Sequence, residues 1–265
     1  MNRRQFIASA AAAERASDNS PSVSCVTGSG GYCVRDPNRA LFESVVRLLG
    51  PVLDDLVFVG GCTTGLFLTD SVAGGIRPTK DVDAIVDVTS YAEYTSLAER
   101  LRALGLAEDS TPGAPLCRWR RDTFIVDVMP IDARVLGFSN RWYPAAIETA
   151  QFWRIAGHDV RIVTPALFIA TKLEAFRGRG RGDIFASHDL EDLVTVVDGR
   201  PEIVAEVGAA ASDVRAYIAS DVRSLLDNPD FVEALPGFLL PDAASQARRR
   251  LVEERLRVLS ELEDR

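Results

Sequence analysis

Long hydrophobic runs, excess positive charge, histidine and patterned cysteine are all scarce in this 265-residue sequence. No apolar stretch approaches the roughly 20 residues that a membrane-spanning helix needs, which predicts a water-soluble protein. The formal net charge is −8, which excludes a broad, nonspecific nucleic-acid coat and leaves only local basic patches. The four cysteines, Cys25, Cys33, Cys62 and Cys117, match neither a zinc-ligand spacing nor a dense disulfide framework. They read as reduced structural thiols of a cytoplasmic protein. The two histidines are a turn residue, His158, and a helix-start residue, His188, by their neighbours.

What is present is enough for a core. Hydrophobic residues make up 47% of the chain, ample for one large domain or two small ones. Residues 1–35 are rich in Ala, Ser and Gly and read as a flexible leader. The start, Asn2-Arg3-Arg4-Gln5-Phe6-Ile7, resembles a twin-arginine export signal. Glu14 and Arg15 interrupt the apolar stretch of roughly 7–15 residues that such a signal needs, so the cytoplasmic reading is kept. Gly28-Ser29-Gly30-Gly31 is no phosphate loop, because no strand precedes it and no Gly-Lys-Ser/Thr follows.

Beyond the leader, periodicity alternates between two and three-to-four. Leu41, Val45, Val46, Leu48 and Leu49 predict a helix ending at Gly50-Pro51. Leu56–Val59 predicts a buried strand, broken by Gly60-Gly61 before a helix over 63–68. A strand over 81–88 precedes an amphipathic helix over 90–106 with Ser90 as N-cap. Strands over 116–120 and 123–129 meet around Arg121-Asp122, and 152–156 pairs with 160–163 through Gly157-His158. After Pro165, helices are expected over 166–176, 190–197, 212–226 and 243–262, with the Arg-Gly run 177–182 irregular. The expected fold is α/β (α+β), a mixed sheet with flanking helices over 36–163 and a helical region over 164–265.

Several residues in this frame carry chemistry. Asp81 and Asp83 stand two apart on a strand, so both project from one face and can share divalent metal with phosphate oxygens. An acidic solvent-facing strand has the same pattern. Asp127 sits in the apolar run Phe124-Ile125-Val126-Asp127-Val128-Met129, where a carboxylate is costly without a partner. That partner is either a metal shared with the upstream acids or an arginine, Arg118 or Arg120, on the neighbouring strand. Gly60-Gly61 ends a strand and opens a helix, which turns backbone N–H groups toward an anion, with Thr63 and Thr64 as hydroxyl donors. A tight turn without a ligand is the plain alternative.

Lys172 follows the apolar stretch Leu167-Phe168-Ile169-Ala170, as a phosphate-binding cation or an ordinary surface residue. Asp189 and Asp192 share a helix face, to hold a cation or to cap the helix start. The Arg177–Arg181 run and Arg118-Trp119-Arg120-Arg121 are the two basic patches, nucleic-acid contacts or solvated faces.

Val59-Gly60-Gly61 with Arg77-Pro78-Thr79-Lys80-Asp81-Val82-Asp83 resembles the core signature of the DNA polymerase β-like nucleotidyltransferase superfamily. The R-x-T-[KR]-D-h-D form is similar to the AbiEii/AbiGii and Men-type nucleotidyltransferase toxins of type IV toxin–antitoxin systems. Thr171-Lys172-Leu173-Glu174-Ala175 and His188-Asp189-Leu190-Glu191-Asp192-Leu193 resemble their K-L-x-A … R-D-x-x-D-L block. The resemblance covers about residues 55–195 and is more specific for fold than for substrate.

The resemblance implies that Gly60 and Gly61 border a triphosphate, with Thr64, Thr79 and Lys80 beside the nucleotide. Asp81, Asp83 and Asp127 would bind Mg²⁺ or Mn²⁺, Lys172 would contact phosphates, and Asp189 or Asp192 would complete the distal side. The family's Arg-Asp pair is His188-Asp189 here, which leaves Asp183, Asp189 and Asp192 open for the distal role. An NTP as substrate, a tRNA 3′ end as acceptor and a cognate antitoxin are the implied partners. The alternatives are the same chemistry on a protein hydroxyl or an aminoglycoside-like small molecule, and a non-enzymatic nucleotide-binding module.

Overall fold

The computed structural model describes residues 36–70, 73, 75–179 and 183–262. The leader, its twin-arginine-like start, Cys25, Cys33 and residues 180–182 of the Arg-Gly run lie outside the described residues.

Helix α1 (Arg39–Leu49) buries Phe42, Val45, Val46 and Leu49, whose spacing of three and four makes one apolar stripe. Phe42 meets Phe58 edge-on, with ring centroids 5.1 Å apart. Strand β1 (Leu56–Val59) is buried at every position, the mark of a strand covered on both faces. A single 3₁₀ turn leads from it into the short helix α2 (Thr64–Phe67). Strand β2 (Val82–Val86) precedes α3 (Tyr91–Ala103), which Ser90 and Glu93 close with a reciprocal capping box.

Strands β3 (Ala107–Glu108), β4 (Arg118–Arg121) and β5 (Phe124–Pro130) follow, the last two joined through Asp122 at φ 52°. Helices α4 (Ala133–Leu136) and α5 (Tyr143–Glu148) lead to β6 (Gln151–Ile155) and β7 (His158–Ile162). Ala156 and Gly157, at φ 50° and 86°, make the hairpin turn, a positive-φ pair that matches the twist of the strands. His158 is therefore the first residue of β7, paired with Ile155, rather than a turn residue.

The strands form one mixed sheet in the order β3-β4-β5-β2-β1-β7-β6. β2 runs parallel to β5 and β1 parallel to β7, and the other neighbours are antiparallel. The expected mixed α/β fold is what the chain adopts.

Helices α6 (Pro165–Arg179), α7 (His188–Gly199), α8 (Ile203–Gly208), α9 (Ser212–Leu226), α10 (Pro229–Ala234), α11 (Ala243–Ala247) and α12 (Arg249–Ser260) make up the remainder. Phe67 on α2 contacts Phe168 on α6, with centroids 5.0 Å apart, and one hydrophobic cluster extends from Phe42 to Leu262. Among the described residues no helix is long and apolar enough to cross a membrane.

Two helical expectations need correction. Helix α6 continues through Arg177-Gly178-Arg179, which the Arg-Gly pattern predicted to be irregular. One helical glycine costs only about 1 kcal/mol, and Arg177 is held by Asp221 at 3.0 Å and by the ring of Tyr217. The single helix expected over 243–262 breaks at Arg248, whose guanidinium reaches Asp198 at 2.7 Å and Asp70 at 2.8 Å. The two-residue β3 and the short α4, α5, α8 and α10 are too brief to display a period, so no pattern marked them.

Candidate active site

Strand register assembles the acids. Val59 pairs with Asp83, Asp83 with Asp127, and Asp127 with Arg118, one rung across β1, β2, β5 and β4. Residues in a rung share a face of the sheet; the strand expected over 81–88 begins only at Val82, so Asp81 lies just before it and meets the rung through Arg118. The expected trio Asp81, Asp83 and Asp127 is thus gathered at one rung. Asp127 is 6% exposed. Its partner is Arg118, which donates from Nε to Oδ1 at 2.8 Å and from Nη2 to Oδ2 at 2.7 Å. The same Nη2 reaches Asp81 Oδ2 at 3.0 Å. Arg120, the other arginine considered, points to Asp109.

The glycine turn is built around these acids. Gly60 has φ 74°, a left-handed conformation that L side chains resist. A Cβ there would overlap the Asp83 carboxylate. Gly60→Ala is expected to cost about 1–3 kcal/mol of stability and to displace Asp83. A thermal melt would check this, and an unchanged melting temperature would count against it. A Cβ on Gly61 would come within 3.0 Å of Arg77 Nη2 and 3.1 Å of Asp192 Oδ2, so this turn also packs on the distal side. Thr63 spends its hydroxyl on the Gly60 carbonyl at 2.9 Å. Thr64 is buried with its hydroxyl unpartnered.

Asn38 is a site residue that the sequence reading missed. It precedes α1 at the N-cap position, yet its side chain caps nothing there. Instead its Nδ2 donates to the Arg77 carbonyl at 2.9 Å, and its Oδ1 accepts from the Thr79 N–H at 2.8 Å. Thr79 in turn donates from Oγ1 to Asp81 Oδ1 at 2.7 Å. The chain segment before β2 is therefore pinned to α1, and Asp81 is aimed by that pin. A lone Asn ahead of a helix signals only a cap, so nothing in the sequence distinguished it.

The distal side is an ion cluster. Lys172 is 7% exposed, which sets aside the surface-residue alternative. Its Nζ donates to Asp192 Oδ2 at 2.6 Å and to Asp189 Oδ1 at 3.2 Å. Arg77 Nη2 adds a second bond to Asp192 Oδ2 at 3.2 Å, and its Nε lies 3.6 Å from Glu191. Burial pulls the Lys172 pKa down, but Asp192 and Asp189 outweigh it and the net direction is up. Ser187 caps α7 by accepting from the Leu190 N–H, so helix capping does not fall to Asp189 or Asp192. His188, exposed at the helix start, sits 3.3 Å from Glu191.

A cleft of about 1310 Å³ joins the two sides. Gly60, Gly61, Thr79, Lys80, Asp81, Asp83 and Asp127 line one wall, and Lys172, Glu174, Asp183 and Asp189 the other. Of the three distal candidates, Asp189 and Asp183 face the cleft, while Asp192, 1% exposed, supports Lys172 from behind. Asp183 is exposed and accepts from the Ala186 N–H at 3.1 Å. Thr64 does not line the cleft. A smaller cavity of about 440 Å³ lies elsewhere, bordered by Asp54, Asp87, Arg100 and Arg161. Cys117 borders the main cleft, but burial, with Asp127 and Asp83 adding, pushes its thiol up to about 12, so it is protonated at neutral pH.

The donor set suits a hard divalent cation: carboxylate oxygens of the acidic trio, two of them within reach of a single nitrogen. Among the described residues no group of three His, Cys, Asp or Glu side chains is preassembled as a metal cage. The positive charge between Asp81 and Asp127 is that of Arg118.

No family model matches the chain, and no curated protein matches its sequence. Among solved structures, it is similar to an antigenic nucleotidyltransferase-like protein from Paracoccidioides brasiliensis, at 19% identity and TM-score 0.44, over 76% of this chain and 94% of that one. It is also similar to JHP933 from Helicobacter pylori, at 12% identity and TM-score 0.45, over 86% of this chain and 92% of that one.

Proposed function

We propose that the cleft transfers a nucleoside monophosphate from an NTP to an acceptor hydroxyl and releases pyrophosphate. The observation that carries this reading is the rung that aligns Asp83 with Asp127, beside the Gly60-Gly61 turn and across the cleft from Lys172. Asp81, Asp83 and Asp127 are the residues to hold Mg²⁺ or Mn²⁺. Bound metal would polarise the phosphoryl oxygens and offset charge on the attacking and leaving oxygens.

The chain's own groups do the rest. Gly60 and Gly61, whose missing side chains let Asp83, Arg77 and Asp192 pack against the turn, line the cleft where the triphosphate would lie. Lys172 and Lys80 supply cations for the triphosphate, and Asp189 keeps the Lys172 ammonium aimed at the cleft. The acceptor oxygen bonds to the α-phosphorus as the bond to the bridging oxygen breaks, and the hydroxyl proton passes to a carboxylate of the cluster.

The resemblance to the AbiEii/AbiGii and Men-type toxins favours a tRNA 3′ end as acceptor. Glu174, Asp183 and Asp189 make the outer wall acidic, which favours a second reading, a cationic small-molecule acceptor such as an aminoglycoside. One assay separates them: the protein with Mg²⁺ and each labelled NTP, alone, with total tRNA, or with an aminoglycoside panel. Label on RNA supports the first reading, and label on the small molecule the second. Absence of metal-dependent NTP turnover in every arm would falsify both. A toxin role has a separate check, since wild type as harmless to growth as Asp81→Asn would remove it.

A further inference from the structure

We propose that Arg118 is a built-in counter-ion of the acidic rung that divalent metal must displace. The inference rests on the metal-dependent reading above. Two observations point the same way. Arg118 sits on β4 directly opposite Asp127, so the fold, and not a chance rotamer, places it there. Its guanidinium spans Asp127 with two bonds at 2.7 and 2.8 Å and Asp81 with one at 3.0 Å. Those are two of the three carboxylates proposed to hold metal. A guanidinium is charged at any physiological pH, so the charge of this counter-ion is permanent.

Arg118 therefore has two consequences. With the guanidinium in place Asp127, nearly buried, is paired with a cation, and the two acids are held in place before any metal arrives. A metal gains them only from the fraction of molecules in which the guanidinium has swung away. The apparent dissociation constant is raised in inverse proportion to that fraction. The single bond to Asp81 is the longer one and the pair to Asp127 the shorter, so Asp81 is the side that opens first. Arg118 lines the cleft and is 23% exposed along its side chain, which leaves it a direction in which to move. A divalent cation offsets the three formal charges of Asp81, Asp83 and Asp127 better than one guanidinium, which drives the exchange.

The test measures Mn²⁺ binding to the full chain without nucleotide, by electron paramagnetic resonance of free Mn²⁺. It compares wild type, Arg118→Gln and Arg118→Lys. If the wild-type guanidinium is away about one time in ten, Arg118→Gln should bind Mn²⁺ about tenfold tighter. Arg118→Lys, whose point charge cannot span both acids as a fork does, should fall between. Mn²⁺ should also raise the melting temperature of Arg118→Gln by more than that of wild type, a readout independent of turnover. Arg118→Lys keeps the comparison open should the glutamine variant fold poorly. Equal or weaker Mn²⁺ affinity in both variants overturns the Arg118 role while leaving the metal reading intact. No Mn²⁺ binding by any of the three proteins, with or without NTP, overturns both.

Discussion

Asp83→Asn is expected to lower the proposed nucleotidyl transfer about a thousandfold or more while the protein stays folded. The substitution is nearly isosteric, so the Asp83 side chain still fits against the Cβ-free surface of Gly60. What changes is charge. Asp83 sits in the middle of the rung, between Val59 on β1 and Asp127 on β5, and is the acid that the glycine turn is shaped to accommodate. Removing one negative charge relieves repulsion from Asp81 and Asp127 and weakens attraction to Lys172, two opposed effects, so the melting temperature should move by no more than about 2–4 °C. The pairing of lost turnover with retained stability is the informative result. A variant that keeps turnover within tenfold of wild type would remove Asp83 from the chemistry.

Lys172→Met carries the second large effect, and here stability falls as well. Lys172 and Asp192 are buried together, and the methionine would leave Asp192 with Arg77 as its remaining cation. Breaking one side of a buried ion cluster costs about 3 kcal/mol or more, which for a chain of this size lowers the melting temperature by roughly 6–12 °C. Transfer should fall in parallel, because on the proposed mechanism the cleft loses one of its two cations for the triphosphate. Adding Asp192→Asn to Lys172→Met should recover part of the lost stability but none of the transfer. If the double variant is no more stable than Lys172→Met alone, the pair is not coupled in this way.

The pH dependence of this cluster has a definite sign. Lys172 has a pKa raised above the ordinary 10.5, because its two carboxylates outweigh burial. Its contribution to stability is fully present below the unfolded value and is lost as pH rises through the folded one. The stability gap between wild type and Lys172→Met should stay flat from acid-neutral to mildly alkaline pH and narrow only above about 10.5. Denaturant melts across that range check it, and a gap that closes near neutrality would contradict the pairing.

Local chemistry was legible in the sequence wherever it depended on neighbours in the chain. The strand that carries Asp83, the Gly60-Gly61 break, the Ser90 cap and the helix over 212–226 each follow from a few adjacent residues and stand where the pattern put them, while Asp81 lies just before its strand. The Arg177-Gly178-Arg179 step went the other way, because Asp221 and Tyr217 on another helix hold Arg177. Asn38 was invisible for a related reason: its work is done on Arg77 and Thr79, about forty positions along the chain.

The sequence by itself determined which residues can do chemistry and which alternatives had to be weighed for each. Tertiary structure alone decided which partners those residues meet and which of them are buried. It put Arg118 on Asp127 and Arg120 elsewhere, turned Asp189 to the cleft and Asp192 behind it, and buried Lys172. The reason is physical. Side-chain type and spacing are properties of the chain, but register, burial and charge pairing exist only between segments that folding has brought together. The choice of partner for a buried carboxylate is made there, where an unpaired charge is most costly.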